Sequence, residues 1–521
     1  MLKSCIMWSH THNKIFRQVL FFALMFMGII VRIWEFGIIP GDINQDEAFA
    51  GFEAYSLLNN GVDSSGYAFP IYFNSWGSGM NALEIYLMIP FIFLFGLNTF
   101  SIRMPQVIIA CLTLWIIFLL TKKIFQSDLC FIALFLTAIS PWHIMFSRWG
   151  LESNLAPAFL IFGLFFFVLG TEKSVFYILS SLFYGLSLYC YATIWVIVPL
   201  ILFLQTLYSI KYKKIKLNRE TAFAVLLLFI LALPLIVFLL INQGILPELR
   251  TPFLSIPKLT VMRSNELSLQ RIKENFLNIC SIIFHQSDGY IVNATTYFGI
   301  VYHITLPFFL IGIITLLCDI VNSVKKKIFN PGLFILINFA SAFLLGLLLQ
   351  ANITKINSLF LPMIIITAYG LYKIYLHFKK VSIILFAIYQ FLFICFSIYY
   401  FTDYKQDISK YFYYGSKDMI TEVQKYNRKV YVTRKLPYPV VLFYSRENVV
   451  SYIDTVQYNN YPNAFLDVDT FTDYSFNIDP ENLDKDALYL LDDNSYNPEI
   501  LIKAGYSIIH SDGIYYLALR N

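Results

Sequence analysis

Long apolar runs separated by short polar connections dominate the first 400 positions. Runs of helix length fall near 16–38, 82–97, 104–121, 128–147, 155–170, 175–191, 193–210, 221–242, 298–322, 331–350, 356–376 and 381–401, twelve in all. A bilayer span takes ~20 mostly apolar residues, fewer where the flanks adapt. Beyond about 401 the pattern changes to short alternating segments. A helix over 416–426, strand-like runs in "KVYVTRKLPYPVVLFYS" and "ALYLL", a short helix in "NPEILIKAG" closed by Gly505, and a strand–turn–strand in "YSIIHSDGIYYLAL" around Asp512-Gly513 predict a small α/β domain.

The positions of the cations decide how many runs cross. They cluster at Lys3, Lys14 and Arg17, at Lys122 and Lys123, at Lys173, between Lys211 and Arg219, at Lys325, Lys326 and Lys327, and at Lys379 and Lys380. Positive residues prefer the cytoplasmic side. With twelve crossings the rule fails, with Lys122 and Lys123 and the Lys211–Arg219 group among the clusters that land outside. With 82–97 lying along the surface, every cluster lands inside. That run starts with Glu84, carries Pro90, and has the length of an interfacial or re-entrant segment. The pattern therefore predicts eleven spans, a cytoplasmic N-terminus and an external C-terminus. The first external loop is then about 41–101 and a large one about 242–297, and the chain divides into a membrane module, 1–401, and an extracytoplasmic domain, 402–521.

Composition agrees. The 521 residues are 58% hydrophobic and 14% charged, against roughly half and a quarter for soluble domains. The net charge is +5, yet the segment from Thr402 onward carries 12 Lys+Arg against 17 Asp+Glu. The positive excess reports membrane orientation and offers no surface for nucleic acid. Seven Cys (5, 111, 130, 190, 280, 318, 395), only Cys280 of them in a long polar loop, make no disulfide framework. The first apolar run lacks a small-residue cleavage site and reads as an uncleaved helix.

With that orientation, the polar residues of interest share the outer face: Asp46, Glu47, Arg103, His143, Arg148, Glu152, His285, Asp288, His303 and Lys355. Each has a plain structural role open to it. Asn44 and Asp46 suit the start of a helix, the arginines suit interface anchors, Glu152 stands four residues after Arg148, and buried histidines are usually hydrogen-bonded. The sequons at Asn293 and Asn352 lie close to the membrane and read as chance matches. The alternative is convergence. Carboxylates and cations gathered at a lipid surface suit a lipid-linked phosphate, with cations on the leaving group and a carboxylate deprotonating a hydroxyl. The spans hold few charges, Arg32 and Glu35 being the main exception, which argues against an ion-driven transporter.

Four stretches carry a resemblance: "PGDINQDEAFAGFEAYSLLNNGVD" (40–63), "GLNTFSIRMP" (96–105), "ISPWHIMFSRWGLESN" (139–154) and "QANITKINSLFLPM" (350–363). Together they resemble the GT-C glycosyltransferases, in the branch of protein O-mannosyltransferases and ArnT-like lipid A aminoarabinose transferases. The resemblance implies a polytopic α-helical GT-C fold and transfer of a sugar from an undecaprenyl- or dolichyl-phosphate donor to a glycan, lipid or protein acceptor outside the membrane. It implies Asp46 as catalytic base, with Glu47 orienting it or touching the acceptor. Arg103, Arg148 and Lys355 become candidates for the phosphate or its surroundings, and Glu152 stands where many relatives carry Asp. Some relatives need a divalent cation and others do not. Asp46 and Glu152, with His143 or Asp288, offer ligands for one, although the spacing is no metal motif. A flippase or polymerase of lipid-linked polysaccharide, or a membrane-anchored receptor, are the competing readings. Neither explains adjacent acids immediately after the first span.

Overall fold

A computed structural model describes residues 2–75, 78–262, 269–479 and 481–520, with side chains from Lys14 onward; Lys3 and Cys5 lie outside the described side chains. Each of the twelve apolar runs contains a helix. Among the described residues, eight helices are long and apolar enough to cross a bilayer, and four apolar helices are shorter: Leu83–Phe95, Leu129–Ile139, Phe176–Ser187 and Leu333–Leu348. The bundle packs around Trp142, Tyr184, Phe334 and Phe360, all buried.

The connection between the first two long helices holds the key elements. Helix α1 (Leu2–Ile33) ends in a series of turns, and α2 (Gln45–Asn60) follows. Helix α3 (Leu83–Phe95) comes next, then α4 (Thr99–Phe125). Three observations put both ends of α3 at one end of the bundle. Phe95 at its finish and Phe36 just after α1 each set a ring 5.6 Å from Phe100 at the start of α4. Just before its start, the Asn81 amide donates to Glu152. Glu84 in its first turn accepts from Gln106 of α4 at 2.9 Å. Thirteen residues at 1.5 Å rise give about 20 Å, against about 30 Å of hydrocarbon.

Eleven strands are present among the described residues. Two-stranded antiparallel ribbons pair β1 (Tyr72–Phe73) with β2 (Met80–Asn81) and β3 (Leu249–Arg250) with β4 (Ser255–Ile256). The C-terminal sheet comprises β5 (Val430–Val432), β6 (Gln457–Tyr458), β7 (Val468–Phe471), β8 (Tyr474–Ser475), β9 (Leu488–Asp492), β10 (Tyr506–Ser511) and β11 (Tyr515–Arg520), in the order β10-β11-β9-β5-β8-β7-β6. β5 runs parallel to both neighbours and the other pairs are antiparallel.

Most of the elements expected in the tail are present: helices Ser416–Val423 and Pro498–Lys503, strand β9, and the β10–β11 hairpin with Gly513 at φ 84°. One expectation is corrected. "KVYVTRKLPYPVVLFYS" holds one strand, β5, followed by the helix Tyr438–Ser445. Pro439 sits in that helix's first turn, where a missing N–H costs nothing; in a ladder it would forfeit a bond. The large loop also contains an amphipathic helix, Ile272–His285, that places Cys280 in regular structure.

The tail docks on the first loop. Phe443 of the Tyr438–Ser445 helix lies against Gly51 of α2, where a Cβ would meet its ring at 2.6 Å. Phe52 and Tyr452 set their rings edge to face at 6.3 Å. One hydrophobic cluster runs from α2 and α3 into the tail sheet. Asp42 adds a polar clamp, accepting from the Gly415 amide at 2.7 Å ahead of the Ser416–Val423 helix. Burial raises the Asp42 carboxyl above its ordinary range.

Candidate active site

Asn44 starts α2. Its side chain accepts from the Asp46 amide at 2.9 Å, and the Glu47 carboxylate accepts in return from the Asn44 amide at 3.2 Å, a reciprocal cap. Consecutive helical residues are turned by about 100°, so the two acids diverge. Glu47 turns inward and is fully buried. It accepts from Arg103 Nε and Nη2, both at 2.8 Å, and from the Gly150 amide at 2.6 Å. Asp46 is half-buried and faces a cavity of about 580 Å³.

That cavity also takes in Glu152, with Trp149, Leu151 and Ser153 beside it, and Asn44 and Gln45 on the α2 side. Ser75, Ser78, Gly79 and Met80 come from the first loop, Tyr191, Val292 and Thr354 from later connections, and Phe465, Leu466 and Asp467 from the tail domain. Asp46 and Glu152, 106 positions apart, therefore face one space. Glu152 opens a short 3-10 turn, Glu152–Leu155, and is held by the Asn81 amide rather than by Arg148.

Other expected site residues occupy different surroundings. Arg103 spends its guanidinium on Glu47 and on the carbonyls of Pro40, Gly41 and Asp42, at 2.9, 3.4 and 2.9 Å. Arg148 donates to the carbonyls of Val31, Arg32, Glu35 and Ile39, at 3.1, 2.9, 2.9 and 3.3 Å, and lies over the rings of Tyr400 and Phe401. Both arginines are fully buried, and neither lines the cavity. The physical reason is the break after α1. Its last carbonyls and the irregular stretch behind them have no helical partners, and the two guanidinium groups supply donors. Of the two places expected for these arginines, the phosphate or its surroundings, their burial behind the cavity wall fits the surroundings.

His143 is buried with Nδ1 2.6 Å from Arg32 Nη2, away from the cavity. Asp288 ties loops together, accepting from Asn293 Nδ2 at 2.8 Å and from the Ile353 amide at 2.9 Å. The Asn293 side chain is thereby engaged, and Asn352 caps the amide of Lys355 at 2.8 Å. Lys355 is half-buried and follows Thr354, which lines the cavity.

The metal set of Asp46 and Glu152 with His143 or Asp288 is not assembled. Among the described residues, no three His, Cys, Asp or Glu side chains gather to hold an ion. The carboxylates on the cavity wall, Asp46, Glu152 and Asp467, are not gathered around one point, so a cation there would take most of its shell from water.

Several cavity residues escaped the sequence reading. Trp149 and Tyr191 are aromatic among many aromatics, and Phe465, Leu466 and Asp467 reach the site only through docking of the tail. An ion pair was missed too: Lys373 and Asp319, 2.7 Å apart, join two long helices.

Comparison with known structures bears on this architecture. ArnT from Cupriavidus metallidurans in the apo state superimposes with a TM-score of 0.57 at 10% identity, over 97% of this chain and 98% of that one. The chain has the GT-C fold. The GT-C match extends to the same transferase bound to undecaprenyl phosphate, with a TM-score of 0.55 at 10% identity over 96% and 97% of the two chains. The Archaeoglobus fulgidus oligosaccharyltransferase, in complex with Zn and sulfate, gives 0.51 at 14% identity, over 78% of this chain and 55% of that one. This chain thus spans about half the length of the archaeal enzyme. The family model described as dolichyl-phosphate-mannose-protein mannosyltransferase matches residues 83–253. No curated protein matches the sequence.

Proposed function

We propose that this chain is a multi-pass membrane glycosyltransferase that moves a sugar from a polyprenyl-phosphate donor to an acceptor hydroxyl. The observation that carries the reading is the cavity shared by Asp46 and Glu152 at the end of the bundle where α1 finishes. The GT-C fold and the mannosyltransferase model over 83–253 support it. So does the undecaprenyl phosphate bound by the Cupriavidus transferase.

In this reading Asp46 is the base. An acceptor hydroxyl gives its proton to the Asp46 carboxylate, and its oxygen bonds to the anomeric carbon. The bond from that carbon to the phosphate oxygen breaks, and polyprenyl phosphate leaves with the electron pair. One displacement inverts the anomeric centre. Glu47 fixes the direction of Asp46 by locking the first turn of α2 to Arg103 and Gly150. Glu152, on the wall of the same cavity, orients the acceptor or donor. Lys355 is the cation assigned to the leaving phosphate, because it directly follows Thr354 on the wall of the cavity, which neither Arg103 nor Arg148 lines.

Eleven spans belong to the same proposal: the eight long helices and three of the shorter ones, with α3 along the surface. The N-terminus is then cytoplasmic and the tail external. Purified protein should release polyprenyl phosphate from a polyprenyl-phosphate sugar. If no sugar of a broad donor panel is turned over, and Asp46→Asn binds and behaves as wild type, the enzyme reading fails.

A further inference from the structure

A second cavity, of about 300 Å³, adjoins the first. Gln45 and Asp467 line both, so the two cavities adjoin beside Asp46's immediate neighbour in α2. The rest of its wall belongs to the tail, including Tyr413, Arg434, Lys435 and Tyr438.

The two cations on this wall are each paired with carboxylates of the tail. Arg434 reaches Asp467 through Nη1 and Asp469 through Nη2, the latter at 2.6 Å. Lys435 Nζ reaches Asp492 at 3.0 Å. The Tyr413 hydroxyl donates to Gln45 Oε1 at 3.3 Å. A site for phosphate needs cations whose field is not cancelled locally. Here each cation already faces a carboxylate, Asp467 on the wall and Asp469 and Asp492 behind it. The surface instead offers planar donors and acceptors held in fixed directions, beside tyrosine rings and the apolar Leu436 and Pro437. Vicinal hydroxyls match such carboxylate, guanidinium and carboxamide edges, and the C–H face of a pyranose packs on aromatic and apolar surface. The volume lies at the low end for ligand pockets, ~300–1,000 Å³, and suits a small ring better than an extended peptide.

We propose that this second cavity is the acceptor subsite and that the acceptor is a neutral glycan. A sugar ring held by Gln45, Tyr413, Arg434 and Asp467 directs a hydroxyl past Gln45 toward Asp46. The proposal rests on the transferase reading above and names its substrate class. The tail then presents the acceptor while the bundle holds the donor.

The test uses the full-length protein in lipid nanodiscs and saturation-transfer NMR. The probes are the neutral disaccharides lactose, cellobiose and chitobiose, with a Ser/Thr-rich peptide in parallel. At least one disaccharide should bind saturably. Arg434→Gln and Tyr413→Phe should each weaken it about tenfold or more, a loss of ~1.4 kcal/mol. Undecaprenyl phosphate, titrated separately, should bind both variants as it binds wild type. Tyr413→Phe removes one oxygen and keeps the ring, so it stays informative if Arg434→Gln disturbs the tail. The proposal is overturned if no disaccharide binds wild type, if the peptide binds in their place, or if neither variant changes saccharide affinity. Failure of wild type to bind undecaprenyl phosphate would instead strike the transferase reading, independently of the saccharide result.

Discussion

Two polar regions lie on either side of the first turn of α2, and they use the same residue types differently. Beneath it, Glu47, Arg103, Arg148 and Arg32 form a seam without solvent. Each guanidinium there is committed, to Glu47, to His143 or to carbonyls of the broken backbone around α1. Above it, Asp46 and Glu152 both line the cavity. A charge buried with all its partners holds a shape, and removing one partner leaves the other stranded in low dielectric. A carboxylate beside an open space can exchange a proton with whatever enters. Adjacent residues 46 and 47 fall into the two classes because one helical step turns one inward and the other out.

The sharpest break in this comparison comes from Asp46→Asn. Losing the base should lower turnover by ~10²–10⁴-fold, with thermal stability near wild type, read by polyprenyl-phosphate release alongside a melting curve. Loss of folding with retained specific activity would place Asp46 with the seam instead. Arg103→Ala should do the opposite. Breaking its buried pair with Glu47 should cost ~3–5 kcal/mol of stability, measured by unfolding in detergent. Whatever folded protein remains should keep donor affinity, since this guanidinium does not face the cavity; a donor-affinity defect in well-folded protein would return it to the phosphate.

Next in size is an effect of pH. Glu53 of α2 and Asp63 after it are both buried, and burial raises both carboxyls; the Asp63 charge pushes Glu53 further. A raised carboxyl stabilises the fold fully below its ordinary value, and that contribution is lost as pH rises through the raised one. Hydrogen exchange over 53–67 should therefore speed up, beyond its intrinsic pH dependence, as pH climbs from the carboxylate range past neutral. Asp63→Asn keeps an oxygen for the Ser65 and Tyr67 amides and should flatten that rise. Gly150→Ala probes the seam gently. Its methyl would lie 3.1 Å from both Glu84 Oε1 and Met88 Cε, costing ~1–3 kcal/mol by overpacking. Smallest is Asn44→Ala, which removes the helix cap for ~1 kcal/mol, read as a modest fall in melting temperature with turnover reduced only as far as Asp46 loses its direction.

The sequence by itself determined the membrane class, the twelve apolar helices and the shortness of α3. Those follow from composition and charge distribution, which the bilayer reads locally, segment by segment. It also marked 40–63 and 139–154 as the stretches carrying the acids. What tertiary structure decided is which charges are committed. Arg103 and Arg148 resemble phosphate ligands in the sequence because nothing local shows the carbonyls of Ile39, Pro40 and Asp42 waiting for donors. Asp46 and Glu152 meet only because α3 and the 3-10 turn at 152 bring Asn81 beside Glu152. The second cavity exists only because the tail sheet docks on α2, setting Arg434 and Asp467 beside Gln45. Partners so distant along the chain leave no periodicity or spacing to read, and the burial that commits one arginine and leaves one aspartate facing the cavity is a property of packing alone.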